Sequence, residues 1–405
     1  MSGAANTGGS ATGAVVQRRA FSVDTVGDRL ARASAPASRS GSARPIVLVP
    51  NAAPPFRETF SLDTPSTKTH CLVRMRSVIV EPNLWNVVPP VPDGACAQTA
   101  GTAESGPPAE GNVSWSCRDR VLSMRLDVTR SSRGNGGTGS VGYPEIYYGY
   151  SPYSGVASSP MPANFELPST IGGLPGVVLR TGYTTSGYAS TDSNLAYDMF
   201  MSRNDLDPSK AGSPSSWCGT GIENPPGTVA GRTAGCLTAP SDVLEVMIWL
   251  AHSPVNSSYT PATGMDAPVG EFSPTIGLGA RATSSQFEVW TCIYGSIDCD
   301  GPGNHRVVSF VLVGASGRAL PTGLEDGTIS IPLRAFLDRA ITVATGEGAR
   351  DLSAKSYLNA IELGDEVSPP PGEATGPVTF QLRLSSYCVL FRETSLGSPV
   401  GSCRS

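Results

Sequence analysis

The feature that most constrains the fold of this chain is a long series of short segments with the character of β-strands. Each segment is rich in β-branched and aromatic residues, alternates in part between apolar and polar positions, and is bounded by turn-forming residues. The segments are 72–80, 120–128, 176–182, 194–201, 243–250, 286–294, 306–314 and 377–391. Because many strands must bury their sheet faces against one another, the pattern predicts an all-β sandwich.

Only the segment 332–344 has a clear helical pattern. Pro332 suits the first turn of a helix. The apolar positions recur at helical spacing and form one stripe, which consists of Leu333, Phe336, Leu337, Ala340 and Ile341. We therefore expect one helix, packed on the convex side of the sandwich.

The composition is typical of a β-rich domain with long loops. Of 405 residues, 46 are Gly and 35 are Pro, and charged residues make up 16%, below the roughly 25% of an average domain. Residues 1–45 contain few large apolar side chains, so we expect this segment to be disordered. The remainder, 46–405, is predicted to be one domain with loop insertions at 91–112, 202–236, 253–266 and 295–304.

Charge and cysteine content limit the partners and the compartment. The formal net charge of −5 argues against a nucleic-acid partner, since phosphate binding needs a basic face. No segment is long and apolar enough to cross a membrane. Nine cysteines favour an oxidising, extracellular location, although no secretory signal is visible. Their spacing lacks paired CxxC motifs, so we expect no metal, and two pairs lie close enough to close single loops: Cys292 with Cys299, and Cys218 with Cys236.

The segment 243–250 contains a single acid in an otherwise apolar strand. Glu245 shares one face with Val243, Met247 and Trp249, and the opposite face is also apolar. A strand that is apolar on both faces is covered on both, so ionisation of its carboxyl group is unfavourable without partners. A structural acid would be expected on a solvated face. Glu245 is therefore a candidate catalytic residue.

Asp198 lies in a second strand of this kind, 194–201. It shares a face with Ala196 and Phe200. The residue types alone leave two interpretations open: a catalytic acid, or a structural acid that accepts hydrogen bonds from the backbone.

The third segment, 357–367, carries several acids near its end. Its even-numbered positions include Leu358, Glu362, Gly364 and Glu366 and are predicted to share one face. Because glycine has no side chain, Gly364 would leave an open space between two carboxylates, which suits a bound sugar ring. The alternative is a solvated strand edge that is rich in acids.

Paired carboxylates on facing strands are the groups that cleavage of a glycosidic bond requires. One carboxylate must stay ionised, and the other must hold a proton near neutral pH. Aromatic side chains near such a pair are able to stack on sugar faces or simply fill the core. The candidates are Trp85, Trp115, Trp249 and Trp290.

Taken together, these residues resemble glycoside hydrolase family 12, the jelly-roll endoglucanases and xyloglucanases. The run 244–250, Leu-Glu-Val-Met-Ile-Trp-Leu, is similar to that family's nucleophile strand. By this resemblance Glu245 is the nucleophile. The run 195–200, Leu-Ala-Tyr-Asp-Met-Phe, resembles a strand whose Asp assists the catalytic pair, which implies that role for Asp198.

The run 357–366 resembles the family's strand that ends in Gly-x-Glu, and this implies that Glu366 is the acid/base. Asn83-Leu84-Trp85 and Pro268-Val269-Gly270 are similar to segments that line and flank the family's cleft. The residues assigned to substrate binding are Asn83, Trp85, Met247, Trp249, Pro268, Trp290 and Glu362.

The chain departs from the family's pattern near the proposed site. Leu244 stands where the family usually has Tyr, and Val367 follows the acid/base where the family has Pro. Glu362 stands where the family commonly has Gln. This additional carboxyl group leaves Glu362 as an alternative to Glu366 for the role of acid/base.

The resemblance implies a jelly roll of two curved antiparallel sheets with one packed helix and an open concave cleft. It also implies a retaining, endo-acting hydrolase of β-1,4-glucan or xyloglucan that forms a covalent glycosyl-enzyme and needs no cofactor. We expect an extracellular monomer whose only partner is the polysaccharide. Two alternatives share the fold: a glucan-binding jelly roll without catalysis, and a glucan transglycosylase.

Overall fold

A computed structural model of the chain describes its strands, its helix and part of the connections between them. The described residues are 46–47, 56–60, 67–70, 73–75, 78–81, 97–100, 110–118, 121–130, 142–151, 156–157, 167–174, 176–186, 192–203, 205, 243–252, 268–293, 306–314, 328–346, 352–368, 378–391 and 396. The chain divides into two units, Met1–Ser42 and Ala43–Ser405, and every described residue belongs to the second. The segment 1–45, which we expect to be disordered, lies outside the described residues, as do most of the predicted loop insertions.

The described elements are almost all strands. In chain order they are β1 (Ile46–Val47), β2 (Phe56–Phe60), β3 (Thr67–His70), β4 (Val73–Met75), β5 (Val78–Glu81), β6 (Ala97–Ala100), β7 (Glu110–Arg118), β8 (Val121–Arg130), β9 (Glu145–Ser151), β10 (Val156–Ala157), β11 (Ser169–Thr170), β12 (Val177–Ser186), β13 (Asp192–Ser202), β14 (Val243–His252), β15 (Gly270–Phe272), β16 (Thr275–Leu278), β17 (Arg281–Ser284), β18 (Phe287–Ile293), β19 (Arg306–Leu312), β20 (Thr328–Pro332), β21 (Tyr357–Leu358), β22 (Ala360–Ser368) and β23 (Val378–Phe391). The helix α1 spans Leu333–Gly346, and a 3₁₀ turn spans Ile171–Gly173.

The described strands pair into two large sheets, apart from β3 and β6, which pair only with each other. Sheet A has nine strands in the order β17-β16-β20-β12-β23-β8-β7-β2, with β1 added to β23. Sheet B has twelve strands, and its main path is β15-β18-β19-β14-β13-β22-β9-β5-β4. Among the described strands, neighbouring pairs are antiparallel except β14 with β19, which run parallel. All eight predicted segments contain strands, so the predicted all-β architecture is confirmed. The sequence pattern did not predict several other strands, among them β9, β20 and β6, and β6 lies within the predicted loop insertion 91–112.

The two sheets bury their facing side chains in one continuous hydrophobic core. Alternate residues of β13 and β14 in sheet B point into this core, as do alternate residues of β8 and β12 in sheet A. Representative members, all at most 3% exposed, are Leu195, Met199, Leu244, Val246, Ile248, Leu122, Met124, Val177 and Leu179. Because every second residue of β13 and β14 is used in the core, the residues between them face the other side of sheet B.

Helix α1 packs against the core face of sheet B, behind strands β18 and β19. Phe336 lies at the centre of an aromatic cluster, with ring centroids 5.1 Å from Phe272, Phe287 and Phe310 and near-perpendicular planes. Edge-to-face pairs of this kind add to the stabilisation from burial. The predicted helix is confirmed, and it supports the two strands from the side opposite the acids. In the described part of the chain, no helix is long and apolar enough to span a membrane.

A local irregularity at Asn359 separates β21 from β22. The backbone N–H and the side-chain amide of Asn359 both donate to the carbonyl of Phe200, at 2.9 and 3.1 Å, and the side chain also donates to Ser202 at 2.8 Å. As a result Leu358 and Ile361 both point into the core. The expectation that Leu358 shares a face with Glu362 and Glu366 is therefore wrong, because the alternation of side chains is shifted at Asn359.

Candidate functional site

The strand β13 lies between β14 and β22 in sheet B, and this order brings the predicted acids together. Asp198 on β13 lies directly opposite Met247 on β14 and opposite Glu362 on β22. Residues that lie opposite each other in an antiparallel pair project from the same face of a sheet. Asp198 and Glu362 therefore face the side of sheet B that is turned away from the core.

Glu245 and Glu366 lie on the two strands that flank β13. Glu245 is opposite Phe200, and Glu366 is opposite Asn194. Along β13 the opposed pair Asp198–Glu362 is thus placed between the levels of Glu245 and Glu366. We call Asp198, Glu245, Glu362 and Glu366 the carboxyl cluster.

All members of the carboxyl cluster are buried, but not to the same degree. Glu366 is 8% exposed, Asp198 7% and Glu245 5%, whereas Glu362 is only 1% exposed. Removal from water disfavours the ionised form of a carboxyl group. The three more exposed members keep some contact with the surface, and Glu362 lies deepest.

Asp198 is the electrostatic centre of the cluster. Burial raises its pKa well above the ordinary value, and the nearby charges of Glu245, Glu362 and Glu366 raise it further. A hydrogen bond from the backbone N–H of Met199 acts in the opposite direction. Asp198 therefore has a strong tendency to hold a proton where an ordinary aspartate would be ionised.

A further buried acid, Glu145, lies beside the carboxyl cluster. It is not among the candidate residues predicted from the sequence. Glu145 begins β9, lies opposite Gly364 of β22, and is 1% exposed. The sequence carries the signal that identified Glu245, since Glu145 is a single acid in the apolar and aromatic run 145–150. Applying the same criterion to this run would have found it.

The space above Gly364 is occupied by Tyr143. A Cβ atom at position 364 would lie 2.8 Å from the Tyr143 ring and 2.8 Å from the carbonyl oxygen of Pro144. The expectation that Gly364 leaves an open space for a sugar ring is therefore wrong. Glycine is required here because an aromatic ring and the backbone pack directly against the strand.

Tyr143 is surrounded by the acids of the site. Its hydroxyl group donates a 2.9 Å hydrogen bond to the carbonyl oxygen of Ala196. Burial raises the pKa of Tyr143 well above its ordinary value, and the charges of nearby carboxyl groups, Asp198 first among them, raise it further. Tyr143 therefore stays a neutral hydrogen-bond donor and fixes its ring against the strand that carries Glu362 and Glu366.

Replacing Gly364 with Ala tests this packing. We expect Gly364→Ala to lower the free energy of unfolding by about 1–3 kcal/mol, because the added methyl group overlaps a ring and a backbone oxygen. Denaturant unfolding measures the change. Gly346→Ala is the matched control, since a Cβ there meets nothing within 4 Å and should be neutral or slightly stabilising. Equal effects of the two substitutions would contradict the packing described for Tyr143.

An apolar surface continues from the cluster across β14, β19 and β18. We call it the apolar floor, and its buried members are Ala196, Met247, Trp249, Trp290, Cys292, Val307 and Val311. The indole N–H of Trp290 donates to Glu288 at 3.3 Å. Three residues assigned to substrate binding, Met247, Trp249 and Trp290, thus lie together on the face that carries the acids.

A shift in register within β13 and β14 brings a histidine to this face. The shift lies between Leu195 and Ala196, and it places Asn194 opposite His252 on one side and opposite Glu366 on the other. The ring of His252 lies 6.0 Å from that of Trp249, measured between centroids. The strand pattern did not predict this arrangement, because a β-bulge leaves no regular signal in the sequence.

The other residues assigned to substrate binding lie away from the carboxyl cluster in the sheet or outside the described residues. Pro268 is half-buried in the residues that precede the edge strand β15. Asn83 and Trp85 lie outside the described residues. Among the residues that the structure describes, no group of three or more His, Cys, Asp or Glu side chains is arranged to hold a metal ion.

No protein-family model and no curated protein sequence matches the chain. Solved structures with a similar fold include a family 12 xyloglucanase from Bacillus licheniformis, at 15% identity over 83% of this chain and 100% of that chain, with a TM-score of 0.45. Endoglucanase 3 of family GH12 from Trichoderma harzianum is similar at 15% identity over 80% and 97%, with a TM-score of 0.41. An endoglucanase from Rhodothermus marinus is similar at 18% identity over 77% and 92%, with a TM-score of 0.37.

Proposed function

We propose that this protein is a glycoside hydrolase that cleaves β-1,4-glucan or xyloglucan within the chain and with retention of configuration. The observation that carries the proposal is the carboxyl cluster, with Glu245 and Glu366 on strands that flank Asp198. Cleavage of a glycosidic bond requires two carboxyl groups that flank the bond to be broken. The resemblance of the run 244–250 to a nucleophile strand supports the same assignment.

Glu245 acts as the nucleophile and Glu366 as the acid/base in this proposal. In the first step the Glu245 carboxylate attacks the anomeric carbon, the glycosidic bond breaks, and Glu366 donates its proton to the departing oxygen. In the second step Glu366 takes a proton from water, and that water displaces Glu245 from the sugar. No external oxidant, reductant or cofactor is needed for either step.

Burial favours Glu366 over Glu362 as the acid/base. Glu366 is 8% exposed, whereas Glu362 is 1% exposed and lies between Asp198 on one strand and Tyr147 on the next. A general acid must reach the leaving oxygen of the substrate. Glu362 is therefore assigned a supporting role within the site.

The apolar floor supplies the sugar-binding surface in this proposal. The indoles of Trp249 and Trp290 lie beside the acids and are 3% and 8% exposed, so stacking on a sugar ring uses the exposed part of each indole. A β-linked glucan has an extended, flat chain that fits such a surface. We infer a polysaccharide substrate, a monomeric enzyme and no nucleic-acid or membrane partner.

We also propose that the protein works outside the cell. The chain has nine cysteines, and such a number favours an oxidising compartment, where disulfides persist.

Product analysis tests the proposed function. We expect incubation with soluble β-1,4-glucan and xyloglucan to give shorter chains in mass spectra, and ¹H NMR to show the β-anomer as the first product. The first appearance of the α-anomer would contradict retention. Binding without cleavage would instead support the glucan-binding alternative, and redistribution of chain lengths without net hydrolysis would support a transglycosylase.

A further inference from the structure

The pairing of Asp198 with Glu362 places two buried carboxyl groups directly against each other. The two residues lie opposite in the antiparallel pair β13–β22, and they are 7% and 1% exposed. Side chains at opposed positions have Cβ atoms about 4.5–5.5 Å apart, so the carboxyl groups are in reach of each other. Two buried carboxylates at such a spacing cannot both ionise without a large electrostatic penalty.

Among the described residues, the titratable groups that interact electrostatically with this pair are acids and phenols. Glu245 on β14 and Glu366 on β22 act electrostatically on Asp198. Glu145 on β9 lies two residues before Tyr147, which is opposite Glu362. The charges of both carboxyl groups act on the phenol of Tyr143. The charge of Glu362 also acts on Tyr387 of sheet A, which lies on the core side of sheet B. The surroundings therefore oppose a second negative charge on the pair.

We propose that Asp198 and Glu362 hold one proton between them and act as a positioning pair for Glu245. The pair then carries one negative charge instead of two. A protonated Asp198 can donate a hydrogen bond to the Glu245 carboxylate on the neighbouring strand, which holds that carboxylate in position for attack. The inference rests on the proposed function for the role of Glu245, but the shared proton itself does not depend on it.

The shared proton makes both stability and activity depend on pH. A carboxyl group whose pKa is raised in the folded state leaves the protein most stable below the unfolded pKa of about 4. That stability is lost as pH rises towards the folded pKa, since the unfolded chain releases a proton that the folded chain retains. When the Asp198–Glu362 pair loses its shared proton at higher pH, it carries a second negative charge beside Glu245. The activity should therefore fall on the alkaline side of the pH profile.

Unfolding by denaturant, measured from about pH 4 to about pH 8, tests the shared proton without any substrate. We expect Glu362→Gln and Asp198→Asn each to flatten the fall of the denaturant midpoint with pH. The double variant should flatten it little further, because either single substitution already removes the sharing. Glu271→Gln is the control, since Glu271 is an exposed acid on the edge strand β15 of the same sheet, and it should follow the wild type.

Additive flattening in the double variant, or slopes equal to those of wild type and Glu271→Gln, would overturn the proposal. The alkaline limb of kcat/KM gives a second readout. Glu362→Gln should move it to lower pH, because Asp198 then gives up its proton more readily, whereas Asp198→Asn should move it to higher pH. Shifts in the same direction would also overturn the proposal. If the denaturant midpoints show the flattened, non-additive dependence on pH but the protein has no hydrolase activity, the shared proton is supported. The proposed function is then refuted.

Discussion

Glu245→Gln is expected to lower hydrolysis of β-glucan by about 10⁴-fold or more while leaving binding of the glucan intact. Gln has nearly the same size as Glu, but its amide cannot form the glycosyl ester on which covalent catalysis depends. The apolar floor is unchanged by the substitution, so the surface that holds the sugar remains. Removal of a carboxylate that is 5% exposed should leave the thermal midpoint unchanged or slightly higher.

Initial rates and a binding isotherm on the same substrate measure the two effects separately. Glu245→Ala offers a second measurement, since azide can enter the space of the missing side chain. With an activated β-glycoside, azide should restore turnover and give the α-glycosyl azide, which marks loss of the nucleophile. Near-normal hydrolysis by Glu245→Gln would refute the assignment, and a fall in the thermal midpoint would attribute any loss of activity to unfolding.

Glu366→Gln is expected to lower hydrolysis of the natural polysaccharide by about 10²- to 10⁴-fold. The loss should be much smaller on aryl glycosides with acidic leaving groups, because such groups depart without protonation. This dependence on the leaving group is the signature of a general acid. A uniform loss on both substrate types would indicate a binding role for Glu366.

Glu362→Gln is the matched comparison for this prediction. The substitution is the same, on the same strand and the same face, four positions away. We expect it to change the pH profile of kcat/KM more than the maximal rate, and to show no dependence on the leaving group. If Glu362→Gln shows the leaving-group dependence and Glu366→Gln does not, then Glu362 is the acid/base, the alternative that the sequence left open.

The proposed mechanism needs buried acids, and these acids disfavour the folded state. Burial and the charges around Asp198 raise its pKa. The carboxyl cluster therefore lowers the free energy of unfolding of the protein. Active sites commonly trade stability for function in this way. The surrounding apolar floor and the core on the other side of sheet B supply the compensating burial.

The local pattern of the sequence predicted the all-β class and the single helix, but not every strand. Strand alternation, the single helical stripe and the turn-forming residues each depend on neighbours within a few positions, and all eight predicted strand segments and the helix are present. The same local logic singled out Glu245 and Asp198, because an acid in a strand that is apolar on both faces is visible without knowing the fold.

What only the tertiary structure decided was which acids meet. The opposition of Asp198 and Glu362 follows from the register of β13 and β22, and register is set by pairing between segments more than 150 positions apart in the chain. The core position of Leu358 follows from the irregularity at Asn359, and the ring over Gly364 comes from Tyr143, which is more than 200 positions away. A period of two along a strand determines the two faces of that strand, but the partners on each face are chosen by contacts between strands that are distant in the sequence.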